Sequence, residues 1–86
     1  MSRYELTINP PNTLAIGWDR PMNTYFLQLQ KESVENPDAD PEMVIWIGGD
    51  FDECQNVDHI LDVASRYSAD AAGYRDRLVA DRAAGR

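Results

Sequence analysis

The residues of this chain whose types could do chemistry are a lone cysteine, a lone histidine and two clusters of carboxylates. Cys54 and His59 are close enough in sequence to suggest a thiolate and its base. However, Asp50, Asp52 and Glu53 stand immediately before the cysteine. Their negative field disfavours the thiolate, the reverse of what activation requires. With a single histidine and a single cysteine, nothing supplies a second convergent set of titratable groups. No catalytic residue is assigned, an enzyme is not expected, and Cys54 reads as a small apolar side chain.

Asp38, Asp40 and Glu42 alternate like the early ligands of a calcium loop. Counting from Asp38, the sixth position is Met43 where such a loop needs glycine, and the twelfth is Gly49 where it needs a bidentate glutamate. Asp50, Asp52 and Glu53 form a second oxygen-rich cluster, also incomplete. Zinc would need more thiols and imidazoles than the chain has. Gly48-Gly49 is followed by Asp50 and not by a Lys or Ser opening a helix, so it is no phosphate loop. No metal site and no cofactor is assigned.

The carboxylates themselves carry the remaining signal. Residues 1–31, 32–62 and 63–86 have net charges of +1, −10 and +2, for −7 over the 86 residues, and the middle block has no Lys or Arg. Segregated charge makes a field, and a field concerns partners more than folds. A pI of 4.4 opposes phosphate binding, so neither direct nucleic-acid nor membrane binding is expected. Acidity for solubility alone is the competing interpretation. One cysteine excludes an internal disulfide framework, and the apolar runs are far shorter than the roughly 20 residues of a membrane span. A cytoplasmic location is expected, in the host cell if a mobile element encodes the chain.

The elements that must position these groups follow from hydrophobic period. Tyr4, Leu6 and Ile8 alternate, as do Leu14, Ile16 and Trp18, and then Tyr25, Leu27 and Leu29. They predict strands over about 4–8, 14–19 and 24–31, with a turn at Asp19-Arg20-Pro21-Met22-Asn23. Met43-Val44-Ile45-Trp46-Ile47 is apolar on both faces and predicts a strand over 43–48, with Ser33–Glu42 an exposed, mobile loop before it. Val57, Ile60, Leu61 and Ala64, with Tyr67, recur at helical spacing and predict a helix over 57–67 capped by Asn56. A second helix is expected over 70–83, capped by Ser68 or Asp70, with Ala71, Tyr74, Leu78 and Val79 inward. One α+β domain results: three or four antiparallel strands, then two helices on one face of the sheet. Gly17, opposite the inward residues of its strand, marks a close approach.

Aromatic residues on a sheet are usually core, yet Phe26 shares the polar face of its strand and Trp46 lies on a strand apolar on both sides. An exposed aromatic beside acidic loops would anchor a binding surface. The expected partner-binding residues are therefore Glu35, Asp38, Asp40, Glu42, Asp50, Asp52, Glu53, Phe26 and Trp46. Their partner is a basic protein surface of the kind that normally grips nucleic acid. A monomer or a homodimer is expected, the dimer pairing through Ile45 and Ile47 on an open strand edge.

In IGWDRPMNTYFLQL and VIWIGG, the residues Gly17, Trp18, Asp19, Pro21, Thr24, Tyr25, Phe26, Trp46, Ile47 and Gly48 form a pattern. It resembles a group of small bacterial, partly plasmid-borne proteins of unknown function, which implies a shared fold unit and no activity. In size, acidity and lack of catalytic groups the chain is also similar in character to anti-CRISPR proteins. That similarity implies an inhibitor that binds a CRISPR effector complex and blocks DNA. The alternative expectation is a plasmid or housekeeping domain that binds a small ligand or a divalent metal.

Overall fold

Residues 2–6, 8, 12–31 and 42–85 are described by the computed structural model. The alternating stretches form four strands, β1 (Tyr4–Leu6), β2 (Asn12–Asp19), β3 (Thr24–Lys31) and β4 (Glu42–Ile47). They lie in one antiparallel sheet in the order β1-β2-β3-β4. Two helices follow, α1 (Val57–Ser65) and α2 (Arg75–Ala84), the second preceded by a 3-10 helix over Ala69–Tyr74. The architecture is α+β, as expected.

The register shows why the period-two pattern sorts the side chains. Leu14 pairs with Leu29, Ile16 with Leu27 and Trp18 with Tyr25, so all six share the face that the helices cover. Against them pack Val57, Ile60, Leu61 and Ala64 of α1, Ala71 of the 3-10 helix and Leu78 of α2. Leu14, Ile16, Leu27, Ile60 and Leu78 are fully buried, each stabilising the fold by about 1.5–3 kcal/mol. Among the described residues no helix is long and apolar enough to cross a membrane.

Each connection has a local cause. Pro21 sits second in the Arg20-Pro21-Met22-Asn23 turn, where its fixed φ is favoured, and Asn23 N–H donates to Arg20 O at 3.1 Å. Asn23 then takes a left-handed φ of 51°, which asparagine tolerates. Asn56 caps α1, its side chain accepting from Asp58 N–H at 3.0 Å, and Ser68 rather than Asp70 caps the 3-10 helix. Between Leu29 and Gln30 the pairing to β4 slips by one residue, leaving Val44 as a bulge.

The C-terminal half differs from expectation in ways that trace to α2. The helical segment starts tightly wound and becomes α-helical only at Arg75. Val79 is exposed, and Asp81 is buried instead because Tyr4 Oη donates to its carboxylate at 2.6 Å. Arg82 lies over the rings of Trp18 and Tyr25, 5.1 and 5.6 Å from their centroids, and donates to Gln55 O and Gln55 Oε1. The guanidinium is therefore part of the fold. Tyr67, expected on the inward stripe of α1, lies beyond its end and is exposed.

Between the strands and the helices, one buried hydroxyl joins the hairpin to the link that follows β4. Thr24 Oγ1 accepts from Cys54 N–H at 2.8 Å and can donate to Tyr25 O at 2.8 Å or Cys54 O at 3.2 Å. Replacing Thr24 by Val leaves a buried N–H without its acceptor, and urea unfolding should show a loss of about 1–3 kcal/mol. Thr24→Ser should retain most of the stability.

Arg75 Nε donates to Asp58 Oδ1 at 2.8 Å, tying α2 to the start of α1, and this hydrogen bond lowers the Asp58 pKa. A depressed carboxyl pKa contributes stability above its unfolded value, lost as pH falls through the folded value. Arg75→Gln should therefore lower the urea midpoint slightly at neutral pH and leave it unchanged at the most acidic pH, so that the acid limb of a plot of midpoint against pH becomes flatter.

Candidate functional site

Two glycines make room for the outer face of the sheet. Gly17 pairs with Phe26, and a Cβ there would meet the Phe26 ring at 2.6 Å and collide with Ser2 O. The bare Cα lets the N-terminal segment cross β2, with Ser2 N–H donating to Trp18 O at 2.9 Å and Trp18 N–H to Ser2 Oγ at 3.0 Å. At the end of β4, Gly48 has a φ of 88° and a Cβ there would lie 2.9 Å from Phe26 Cα and Cβ. Phe26 is thus enclosed between Gly17, against its ring, and Gly48, against its Cα and Cβ.

This corrects the expectation for Phe26. It is only 4% exposed and is no free anchor. Its place is taken by Trp46, 58% exposed on the same face. Met43, paired with Gln30 on that face, is also exposed, as are Val44 at the bulge and Phe51 in the link. Ile45 and Ile47, named as the residues that would pair two copies, are partly buried against the core. The bulge at Val44 also blunts β4 as a template for another strand. Both helices lie on one face of the sheet; on the other, Ser2 lies over Gly17 while Trp46 and Met43 of β4 stay exposed.

The link after β4 folds back onto the β2–β3 turn. Asp52 N–H donates to Met22 O and Tyr25 N–H to Cys54 O, both at 2.9 Å. The Asp52 carboxylate accepts from the Asn23 side-chain amide and from Gln55 Nε2, and Glu53 Oε2 accepts from Gly48 N–H. Asp52 holds a left-handed φ of 61°, a local strain that these bonds sustain. Asp52 and Asp19 thereby both engage Met22, Asp52 N–H donating to Met22 O and Asp19 Oδ1 accepting from Met22 N–H at 3.4 Å, with Asp50 and Glu53 in the same link as Asp52.

Sequence reading missed Asp19 and Met22 as members of this group. The signal was available: in consecutive antiparallel strands, the end of β4 must lie beside the start of β3, and hence beside the turn before it. Glu35, Asp38 and Asp40 lie outside the described residues, as does the rest of the expected loop before β4. Glu42 supplies backbone to that strand, and its side chain also lies outside the described set.

A cleft of 280 Å³ opens here, lined by Arg3, Asp19, Met22, Phe26, Gln28, Trp46, Gly48 and Gly49. Trp46 lies against Gly49, where a Cβ would come 3.0 Å from the indole. Arg3 is engaged within the fold, 3.5 Å from Glu5 and donating to Gln28 Oε1 at 3.2 Å. Arg20 turns toward the end of α2, its Nε 3.7 Å from where a Cβ on Gly85 would stand. The carboxylates therefore dominate this end of the sheet.

A second, open cleft of 540 Å³ is lined by residues including Tyr25, Gln55, Asp58, Arg75 and Arg82. Arg75 bonds Asp58 and Arg82 bonds Gln55, just before the cap of α1, so these groups serve the docking of α2. Among the described residues no three of His, Cys, Asp and Glu gather to hold a metal ion. No protein-family model, curated protein sequence or solved structure matches the chain, and function is read from the site's own geometry.

Cys54 is buried, its Sγ donating to Asn56 O at 3.3 Å, whereas His59 is exposed on α1. Burial, reinforced by Glu53, raises the thiol pKa. Iodoacetamide labelling followed by mass spectrometry should be slow in the native protein near pH 8. It should become at least tenfold faster in denaturant, where the thiol recovers an ordinary pKa near 8.5.

Proposed function

We propose that the chain is a small acidic interaction protein that docks a basic protein surface on the exposed β4 side of the sheet's outer face. The observation that carries this reading is that exposed Trp46 shares a cleft with Asp19, while the link bearing Asp50, Asp52 and Glu53 is hydrogen-bonded back onto the same turn. Carboxylates at the rim of such a surface speed and orient association, while an aromatic near its centre supplies buried area. A surface built to hold phosphates would meet carboxylates in their place.

In its sharpest form the reading is an anti-CRISPR inhibitor, encoded by a mobile element and acting in the host cytoplasm. It would occupy the nucleic-acid path of an effector complex and keep DNA out. The strong acidity and the absence of a suitable nucleophile and base among the described groups favour binding over catalysis as its mode of action.

Charge reversal tests the reading. Asp52 and Glu53 brace the link, so the variant of choice is Asp19→Lys with Asp50→Lys. It should displace DNA from the host's effector complex at least tenfold less well than wild type, with a flatter dependence on salt. Equal displacement by wild type and variant, or none by either, would overturn the inhibitor form. Undiminished binding of the variant to basic proteins would overturn the docking reading itself.

A further inference from the structure

We infer that the 280 Å³ cleft is an arginine pocket, which takes one guanidinium side chain from the partner's basic surface. The inference rests on the docking reading and names the group that fills the cleft. Its volume falls just below the range of about 300–1,000 Å³ typical of small-molecule sites, which suits one long side chain better than a cofactor.

The lining holds a group suited to each part of an arginine side chain. Partly exposed Met22 would meet the methylene stem, above a floor formed by the nearly buried Phe26. Trp46 offers an indole that is 58% exposed, the best aromatic partner for a cation. Asp19 supplies a carboxylate in the same lining. A planar guanidinium can stack on the indole while its edge donates to that carboxylate, two contacts that a compact ammonium cannot make equally well.

The charged surroundings favour the same occupant. The one cation in the lining, Arg3, is occupied by Glu5 and Gln28. Asp50, Asp52 and Glu53 lie in the adjoining link, and Glu53 reaches the pocket wall at Gly48 N–H. An anionic group would face this field, and an apolar one would strip water from Asp19 without replacing its hydrogen bonds. The inward half of the β2–β3 turn thus has a use beyond closing the hairpin.

The test is a titration of the isotope-labelled protein with N-acetylarginine amide, its lysine counterpart and its citrulline counterpart, following indole N–H resonances. The arginine amide should shift the Trp46 signal and leave that of buried Trp18 in place. Lysine amide should bind about fivefold more weakly, and the neutral citrulline amide should cause no saturable shift. Trp46→Ala should abolish the accompanying shifts at the Asp19 and Met22 amides, and Asp19→Asn should weaken binding while preserving shape. An unchanged Trp18 signal shows that each variant is folded.

Equal binding of arginine and citrulline amides, or undiminished arginine binding by Trp46→Ala, overturns the pocket. A Trp46 signal that moves with protein concentration alone, together with a dimer in sedimentation, makes a second copy the occupant and also overturns it. If Trp46→Ala captures a basic protein as wild type does while the Asp19→Lys, Asp50→Lys variant fails, the pocket is wrong and the docking reading stands. If that charge-reversed variant captures as well as wild type, the docking reading falls, and the arginine-amide titration decides the pocket alone.

Discussion

The exchange of hydrogen bonds between Thr24 and Cys54 is the constraint on which the rest of the molecule depends. The hairpin of β2 and β3 is held by its own ladder, and α1 and α2 are held by apolar contact. Neither determines where the chain from Gly48 to Gln55 must run. A fully buried hydroxyl, bonded on one side to Cys54 N–H and able to bond carbonyls on the other, pins the inner end of that link, with Tyr25 N–H on Cys54 O and Asp52 N–H on Met22 O beside it. From there the link runs in one direction to the carboxylates of the sheet's end and in the other to Asn56 and the start of α1. One junction thus aligns the core with the acidic surface.

The strands were legible because each alternates strictly over a half-buried length, and a one-residue slip would have turned every leucine outward. The cap of α1 was legible because Asn56 stands just before the apolar stripe. The start of α2 was not. Its entry is a 3-10 helix, and the partner that makes Asp81 an inward residue is Tyr4, at the far end of the sequence. No local pattern contains that contact. The same limit explains Phe26: by alternation it faces out, and only the two glycines around it show that facing out need not mean exposed.

The candidate site was legible to the same degree. Asp50, Asp52, Glu53 and Trp46 follow from composition and from a strand that is apolar on both faces. Their division of labour follows only from geometry, since Asp52 and Glu53 spend their oxygens on Asn23, Gln55 and Gly48. Asp19 comes from another element, brought there by strand order. The arginines of the chain show the complementary arrangement. Arg75 and Arg82 are bound into helix docking. These two cations serve the fold, while Asp50, Asp52 and Glu53 stay exposed.

The two tryptophans are placed in opposite surroundings, and this gives the protein an optical signature. Trp18 is 3% exposed and stacked beneath Arg82, and its indole nitrogen has no hydrogen-bond partner among the described residues. Trp46 stands largely in water. An excited indole emits to the red when polar neighbours can reorient around it, and to the blue when they cannot. The native emission band is therefore a sum of two colours, one from the core and one from the acidic face. Each can be followed on its own, the blue one as the fold opens and the red one as that face is covered.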